Sequence, residues 1–135
     1  MATLTPTLTL SSTDAFSDVV NFSVTDTLTT KAPSQSLTKI VVDTTGANNI
    51  IVTANDDKQT WVFIKHTGFA ADGTTSTANH CDVELTGNTA VGTLKPEEFC
   101  FFPFCGNGSS VGVQLQAVSA SVTMEYAYWS DSTAQ

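Results

Sequence analysis

A chain of 135 residues makes one domain, long enough to bury about two-thirds of its unfolded surface. Its 13 acidic residues oppose 5 basic ones for a formal charge of −8, and every base is a lysine: Lys31, Lys39, Lys58, Lys65 and Lys95. With no arginine and no basic patch, the expected partners include neither nucleic acid nor an anionic membrane.

The opening MATLTPTLTLSS has no basic n-region and no continuous apolar run, so no signal peptide is expected, and no stretch reaches the length of a membrane span. Synthesis in a cytosol without export by the general secretory route is the expectation. Leu4, Leu8 and Leu10 share one face with Pro6, and threonines line the other. Pro6 cannot donate to a ladder, which marks residues 1–12 as an edge or arm strand. After the turn cluster Ser11-Ser12-Thr13-Asp14, VVNFSVTDTL places Val20, Phe22, Val24 and Leu28 on one face. LTKIVVDTT opens beyond Pro33 with Ile40 and Val42 inward and ends at Gly46. NNIIVTA makes a short strand, and Asn55-Asp56-Asp57 a turn. TWVFIKHT is apolar on both faces at its centre and reads as a central buried strand.

The polar stretch from Gly68 to His80 reads as a long surface loop or a loosely held hairpin. CDVEL sets Cys81, Val83 and Leu85 against Asp82 and Glu84. A turn at Gly87-Asn88 and a short strand at AVGTL lead to EFCFFPF. There Cys100 and Phe102 face one way, Phe99 and Phe101 the other, and both faces are expected to be buried. VGVQLQAV and SVTMEYAYW follow, the latter alternating Val122, Met124, Tyr126 and Tyr128 with Thr123, Glu125, Ala127 and Trp129. DSTAQ, residues 131–135, reads as a frayed tail. About ten short strands with turn residues between them predict an all-β, antiparallel β-sandwich, jelly-roll-like, with an N-terminal strand arm and one domain over residues 13–130. Charged residues are only 13% of the chain, and Thr and Ser supply the polar share. Such a neutral, hydroxyl-rich surface is typical of extracellular or virion β-proteins.

Candidate chemistry is thin. Cys100 and Cys105 are spaced C-x4-C with no second pair, and Pro103 is expected to break the strand between them. A Cys3His zinc set can be assembled from Cys81, Cys100, Cys105 and His80, but without a CxxC knuckle buried free thiols are the better reading. A redox pair would need CxxC beside a βαβ unit. His66 lacks any GxSxG or Cys-His-Asn context and reads as a surface or satisfied structural residue. Glu97-Glu98 and Asp82/Glu84 are carboxylate pairs of the glycosidase kind, set against the plainer reading of a solvated acidic face. Asn55-Asp56-Asp57 lacks a spaced calcium loop, and GNGSS at 106–110 lacks the lysine and helix of a phosphate loop. His66 and His80 with Glu84 make a poor metal triad for a jelly-roll hydrolase. No catalytic residue, cofactor or metal is expected. Trp61, Tyr126, Tyr128 and Trp129 suggest a sugar-stacking platform, yet both tyrosines fall on the core side. That leaves Trp129 as the exposed candidate, and exposed aromatics more often mark subunit contacts.

WVFIKHTG, LKPEEFCFFPF and MEYAYW carry a resemblance. Together with the Thr/Leu/Ser-rich start they form the pattern V-x-I/V-K-H-T at Val62 to Thr67, L-x-P-x-E-F-x-F-F-P at Leu94 to Pro103, and x-E-Y-x-Y-W ending at Trp129. The chain resembles small virion structural proteins of tailed bacteriophages, especially cyanophages and phages of other aquatic bacteria. The resemblance implies a non-enzymatic β-sandwich located in the virion and made in the host cytoplasm. It would be a capsid decoration (cement) protein bound to the major capsid protein or other virion proteins, or else a tail or fibre-base component that acts as a carbohydrate-binding module. A homotrimer is implied by the three-fold positions that phage surfaces offer. Leu4, Leu8, Leu10 and Trp129 are the expected subunit or lattice contacts, since an apolar arm carrying Pro can pair with a neighbour's sheet edge.

Overall fold

The computed structural model describes residues 2–15, 17–53, 58–106 and 111–134. The chain is all-β, with strands β1 (Ala2–Leu4), β2 (Thr7–Ser12), β3 (Val20–Thr25), β4 (Leu28–Val42), β5 (Ile50–Val52), β6 (Lys58–Ala70), β7 (Cys81–Leu85), β8 (Thr89–Leu94), β9 (Phe99–Cys105), β10 (Val113–Ala117) and β11 (Val122–Ala134). A 3-10 turn at Gly46–Asn48 is the single helical element among the described residues. Every ladder is antiparallel. A five-stranded sheet, ordered β1-β4-β11-β6-β9, curls like half a barrel and packs against a four-stranded sheet ordered β5-β10-β7-β8. β2 and β3 form a third sheet by themselves.

Pairing from β4 onward is nested. β7 pairs with β8, β6 with β9, β5 with β10, and β4 with β11. One long ribbon therefore folds over on itself, and the β11–β6 and β10–β7 ladders stitch its turns together. The core lies between the two sheets. Val42, Val62, Ile64, Val122 and Met124 come from one side, and Val52, Cys81, Val83, Val113 and Leu115 from the other. Period-two alternation explains the set, because each strand presents every second residue to the opposite sheet.

Several expectations need correcting. β4 runs straight through Pro33. The register to β11 slips between Trp129↔Ser34 and Ser130↔Lys31, so Ala32 and Pro33 fall at the slip, where a missing donor breaks no ladder bond. Pro103 likewise sits within β9, which it does not break, because β9 is an outermost strand. β9 also has one open face: Phe99 and Phe101 are exposed. The VVNFSVT face is not core either, since Phe22 and Val24 lie in the separate β2–β3 sheet and are exposed. β6 buries only one face, while Trp61, Phe63 and Lys65 on the other stay half-buried. Strand β11 does not end in a frayed tail at Ser130, for it continues to Ala134 with Asp131 opposite Thr30 and Ala134 opposite Lys58.

The Gly68–His80 segment is tied down. β6 extends to Ala70, Thr77 N–H donates to the Gly68 carbonyl at 3.0 Å, and Ala70 N–H to Thr75 at 2.8 Å. Thr67 and Gly68 bulge out of the β6–β11 ladder between the Met124↔His66 and Thr123↔Phe69 pairs. Gly68 takes φ +83 there, a conformation that an L side chain rarely adopts. Two hydroxyls seal the bulge: Thr67 Oγ1 donates to the Thr123 carbonyl at 2.6 Å, and Thr123 Oγ1 to the Ala70 carbonyl at 2.7 Å.

Candidate functional site

Residues 1–12, expected as one arm strand, divide at Thr5-Pro6. The first part, β1, pairs with the root of β4, and the second, β2, pairs with β3. Both ladders keep one register, from Ala2↔Thr30 through Leu4↔Leu28 to Thr7↔Thr25 and Ser12↔Val20, and Asp26 N–H bridges the gap to the Pro6 carbonyl at 3.1 Å. The N-terminus is thus a continuous hairpin, rooted in the five-stranded sheet and interrupted where Pro6 lacks a donor.

The far half of this hairpin has two unlike faces. On one, Thr7 and Thr25 share a hydroxyl hydrogen bond at 3.0 Å, and Thr9 and Ser23 another at 3.1 Å. On the other, Leu8 opposes Val24 and Leu10 opposes Phe22. Among the described residues that apolar face stays about half open: Leu8 is 49% exposed, Leu10 45%, Phe22 45% and Val24 59%. Of the expected contact residues, Leu8 and Leu10 lie here together. Leu4 is half-buried in β1, and Trp129 is half-buried on the outer face of the five-stranded sheet. The structure does not bring these four into one patch. Phe22 and Val24 complete the face, and their signal was the Val20-Phe22-Val24 alternation matching Leu8-Leu10 across a turn-rich stretch.

A second apolar surface lies on the outer face of β11, β6 and β9. Trp129, Trp61 and Pro103 stand in register across the three strands, as do Ala127, Phe63 and Phe101. Trp61 stacks on Phe101, with ring centroids 5.5 Å apart and planes at 16°, and Phe63 tilts against Phe99 at 6.4 Å. Phe99 is 62% exposed and Phe101 36%. Between this edge and the hairpin runs a cleft of about 420 Å³, lined by Pro6, Thr7, Leu8, Phe99, Cys100 and Phe101.

The other candidates have structural partners. His66 is fully buried, its Nδ1 accepts the Gly68 N–H at 3.0 Å, and its Nε2 lies 3.0 Å from the Asn79 carbonyl. The proton therefore sits on Nε2 and the ring is neutral. Burial holds its pKa below the ordinary value, and the charge of nearby His80 adds to that. Glu84 is not on a solvated face as expected. It is 7% exposed, and the buried Gln114 Nε2 donates to Glu84 Oε2 and to Asn88 Oδ1, each at 2.8 Å. Glu98 accepts the Lys95 N–H at 2.9 Å and so closes the turn before β9.

Cys81, Cys100 and Cys105 are all free. Burial, with the charge of Asp82 second, pushes the Cys81 thiol up to about 12, and burial alone pushes Cys100 up to about 11. Both stay protonated and unreactive at neutral pH. Neither the Cys3His set nor a His66–His80–Glu84 triad is assembled: among the described residues no three His, Cys, Asp or Glu side chains are placed to hold a metal ion. Asn55-Asp56-Asp57 and Asn107 to Ser110 of the GNGSS stretch lie outside the described residues. Among the described residues no helix is long and apolar enough to cross a membrane. Comparison with protein-family models, with curated proteins and with solved structures gave no match.

Proposed function

We propose that this chain is a non-enzymatic virion structural protein of a tailed phage, a capsid decoration (cement) protein that binds the assembled capsid surface and stabilises it. The observation that carries the reading is the hairpin, a ribbon rooted in the main sheet that holds Leu8, Leu10, Phe22 and Val24 in water. In this reading it is an arm. Covering four half-exposed side chains of this size contributes roughly 4 kcal/mol before ordering costs. A cement protein then works by mass action, because it binds the finished lattice better than loose subunits.

Strand order supports the same reading. The eight strands from β4 to β11 pair first with last, second with seventh, third with sixth and fourth with fifth. They form sheets β4-β11-β6-β9 and β5-β10-β7-β8. That pairing supports a jelly-roll reading, an architecture used by viral capsid and lectin domains. The phage resemblance of LKPEEFCFFPF and MEYAYW agrees with it. The proposed partners are further copies of the chain, as a trimer, and the major capsid protein, with no nucleic acid and no membrane. The test is to add purified protein to particles lacking it and image them by electron microscopy. Density on the capsid surface and a raised capsid melting temperature are expected, and no binding to any particle would overturn the reading. A tail or fibre-base carbohydrate-binding role is the second reading, favoured by the stacked Trp61–Phe101 pair beside exposed Phe99. Specific glycan-array binding that is lost in Trp61→Ala would replace the first reading with this one.

A further inference from the structure

We propose that the cleft between the hairpin and β9 is a socket between subunits, filled by the hairpin tip of a second copy of this chain. The proposal rests on the assembly reading above and names the partner that the hairpin meets.

The lining selects the kind of occupant. Pro6, Thr7 and Leu8 form one wall, and Phe99, Cys100 and Phe101 the other. The single hydroxyl, on Thr7, is already engaged with Thr25 at 3.0 Å. Sites for small ligands carry a few convergent polar groups that fix orientation. This cleft offers apolar side chains and strand edges instead. β9 ends the five-stranded sheet, and neither β2 nor β3 has a second neighbour among the described strands. An entering strand would find both apolar cover and backbone partners.

Charge narrows the choice. Residues 1–30 contain no Lys or Arg, while Asp14, Asp18 and Asp26 flank the hairpin, so an anionic lipid surface is repelled. Copies of a chain carrying −8 also repel one another unless they meet through patches that lack carboxylates. The hairpin's apolar face and the cleft walls are such patches. The tip is also the right shape. Leu10 and Phe22 are cross-strand partners, both 45% exposed, at the end away from the chain's own cleft. Leu8, Leu10, Phe22, Val24, Phe99 and Phe101 together present on the order of 600 Å² of apolar surface, at the top of the roughly 300–600 Å² that the largest patch on a monomer reaches. Divided between donor tip and acceptor cleft, this is about 300 Å² a side, the size of a weak contact that repetition around a closed ring reinforces. Donor tip and acceptor cleft are different surfaces, so the contact is head-to-tail and closes into a ring when its rotation allows.

The full chain is tested by native mass spectrometry and sedimentation over a concentration series. Wild type is expected to self-associate. Leu10→Glu, on the tip, and Phe99→Glu, on the cleft wall, are each expected to raise the dissociation constant by about tenfold or more. Both should leave the unfolding midpoint nearly unchanged when it is read below the dissociation constant, where every chain is monomeric, because both side chains are already exposed. In a Cys105→Ser background, mixing Leu10→Cys chains with mass-labelled Phe99→Cys chains should give a mixed disulfide in excess of either self-linked species. Monomeric wild type at every concentration, or no excess of the mixed disulfide, overturns the proposal. If monomeric wild type still binds particles through Leu10, the occupant is another virion protein: this inference falls and the functional reading stands. If self-association and the mixed disulfide appear but no particle is bound, the socket stands and the functional reading falls.

Discussion

Gly46→Ala is the most informative single change in the core. Gly46 is buried, and an added Cβ would lie 2.5 Å from Gln114 Nε2, 3.0 Å from Glu84 Oε2 and 3.1 Å from Gln116 Oε1. Its φ is outside the left-handed region, so the backbone itself tolerates alanine and the whole effect comes from contact. The Gln114 amide must move, and its two bonds, to Glu84 Oε2 and Asn88 Oδ1, leave 2.8 Å geometry together. Overpacking costs ~1–3 kcal/mol. Leaving the buried Glu84 carboxyl without its donor adds ~1–3 kcal/mol. The expected loss is about 2–6 kcal/mol, or roughly 6–18 °C in melting temperature for a domain of this size. Gly92→Ala is the control, since nothing lies within 4 Å of its added Cβ, and it should stay within about 0.5 kcal/mol of wild type. In urea unfolding, Gly46→Ala should add under about 1 kcal/mol in a Gln114→Ala background, where the clashing amide is gone. A stability loss in Gly46→Ala no larger than in Gly92→Ala would refute this account of the Glu84–Gln114 contact.

Two further outcomes follow. His66 is held neutral, with its folded pKa lowered from 6.5, so its contribution is fully present above that value and lost as pH falls through the lowered folded value. Urea midpoints should decline over that acid window in wild type and decline less in His66→Gln; identical profiles would mean that His66 does not carry the dependence. Of the three thiols, exposed Cys105 should react fastest with a maleimide in the native chain, half-buried Cys100, with its raised pKa, more slowly, and buried Cys81 only on unfolding. Native labelling of Cys81 as fast as that of Cys105, read by mass, would contradict its burial.

Alternation made the strands legible but not their cover. Cys81, Val83 and Leu115 alternate and are core, because a second sheet faces them. Leu8, Leu10, Phe22 and Val24 alternate as cleanly, yet stand in water. Period two reports which residues share a face, and only the topology decides whether another layer meets it. Glu84 is the converse case. Its place opposite Val83 reads as solvent-facing, but the loop from Asp43 to Asn49 folds over that side and brings Gly46 against Gln114. The loop is held by Asp43, which accepts from Thr45 N–H at 2.7 Å and from the side chains of Asn48 and Asn49. Those bonds lower the Asp43 pKa, and no spacing rule announces them. Pro33 and Pro103 misled for a related reason: a proline ends a strand only where its missing donor falls on a ladder bond.

The hairpin itself yields the last expectation. β4 is laddered to β11 only as far as Thr30, so the ribbon beyond Leu28 keeps its register with no third strand beside it among the described residues. A two-stranded hairpin is marginal in water. The Thr7–Thr25 and Thr9–Ser23 hydroxyl pairs tie one face, while the other has only its Leu8–Val24 and Leu10–Phe22 cross-strand pairs until it is covered. In the unassembled chain, β2 and β3 amides should therefore exchange fastest of the long ladders, well ahead of β10 and β11, which are paired on both sides. On assembly they should gain protection, while the core strands change little. Hydrogen exchange followed by mass spectrometry reads both states. Protection of β2–β3 equal to that of β10 in the free chain would mean that the hairpin is stable without cover, and the case for an occupant would fail.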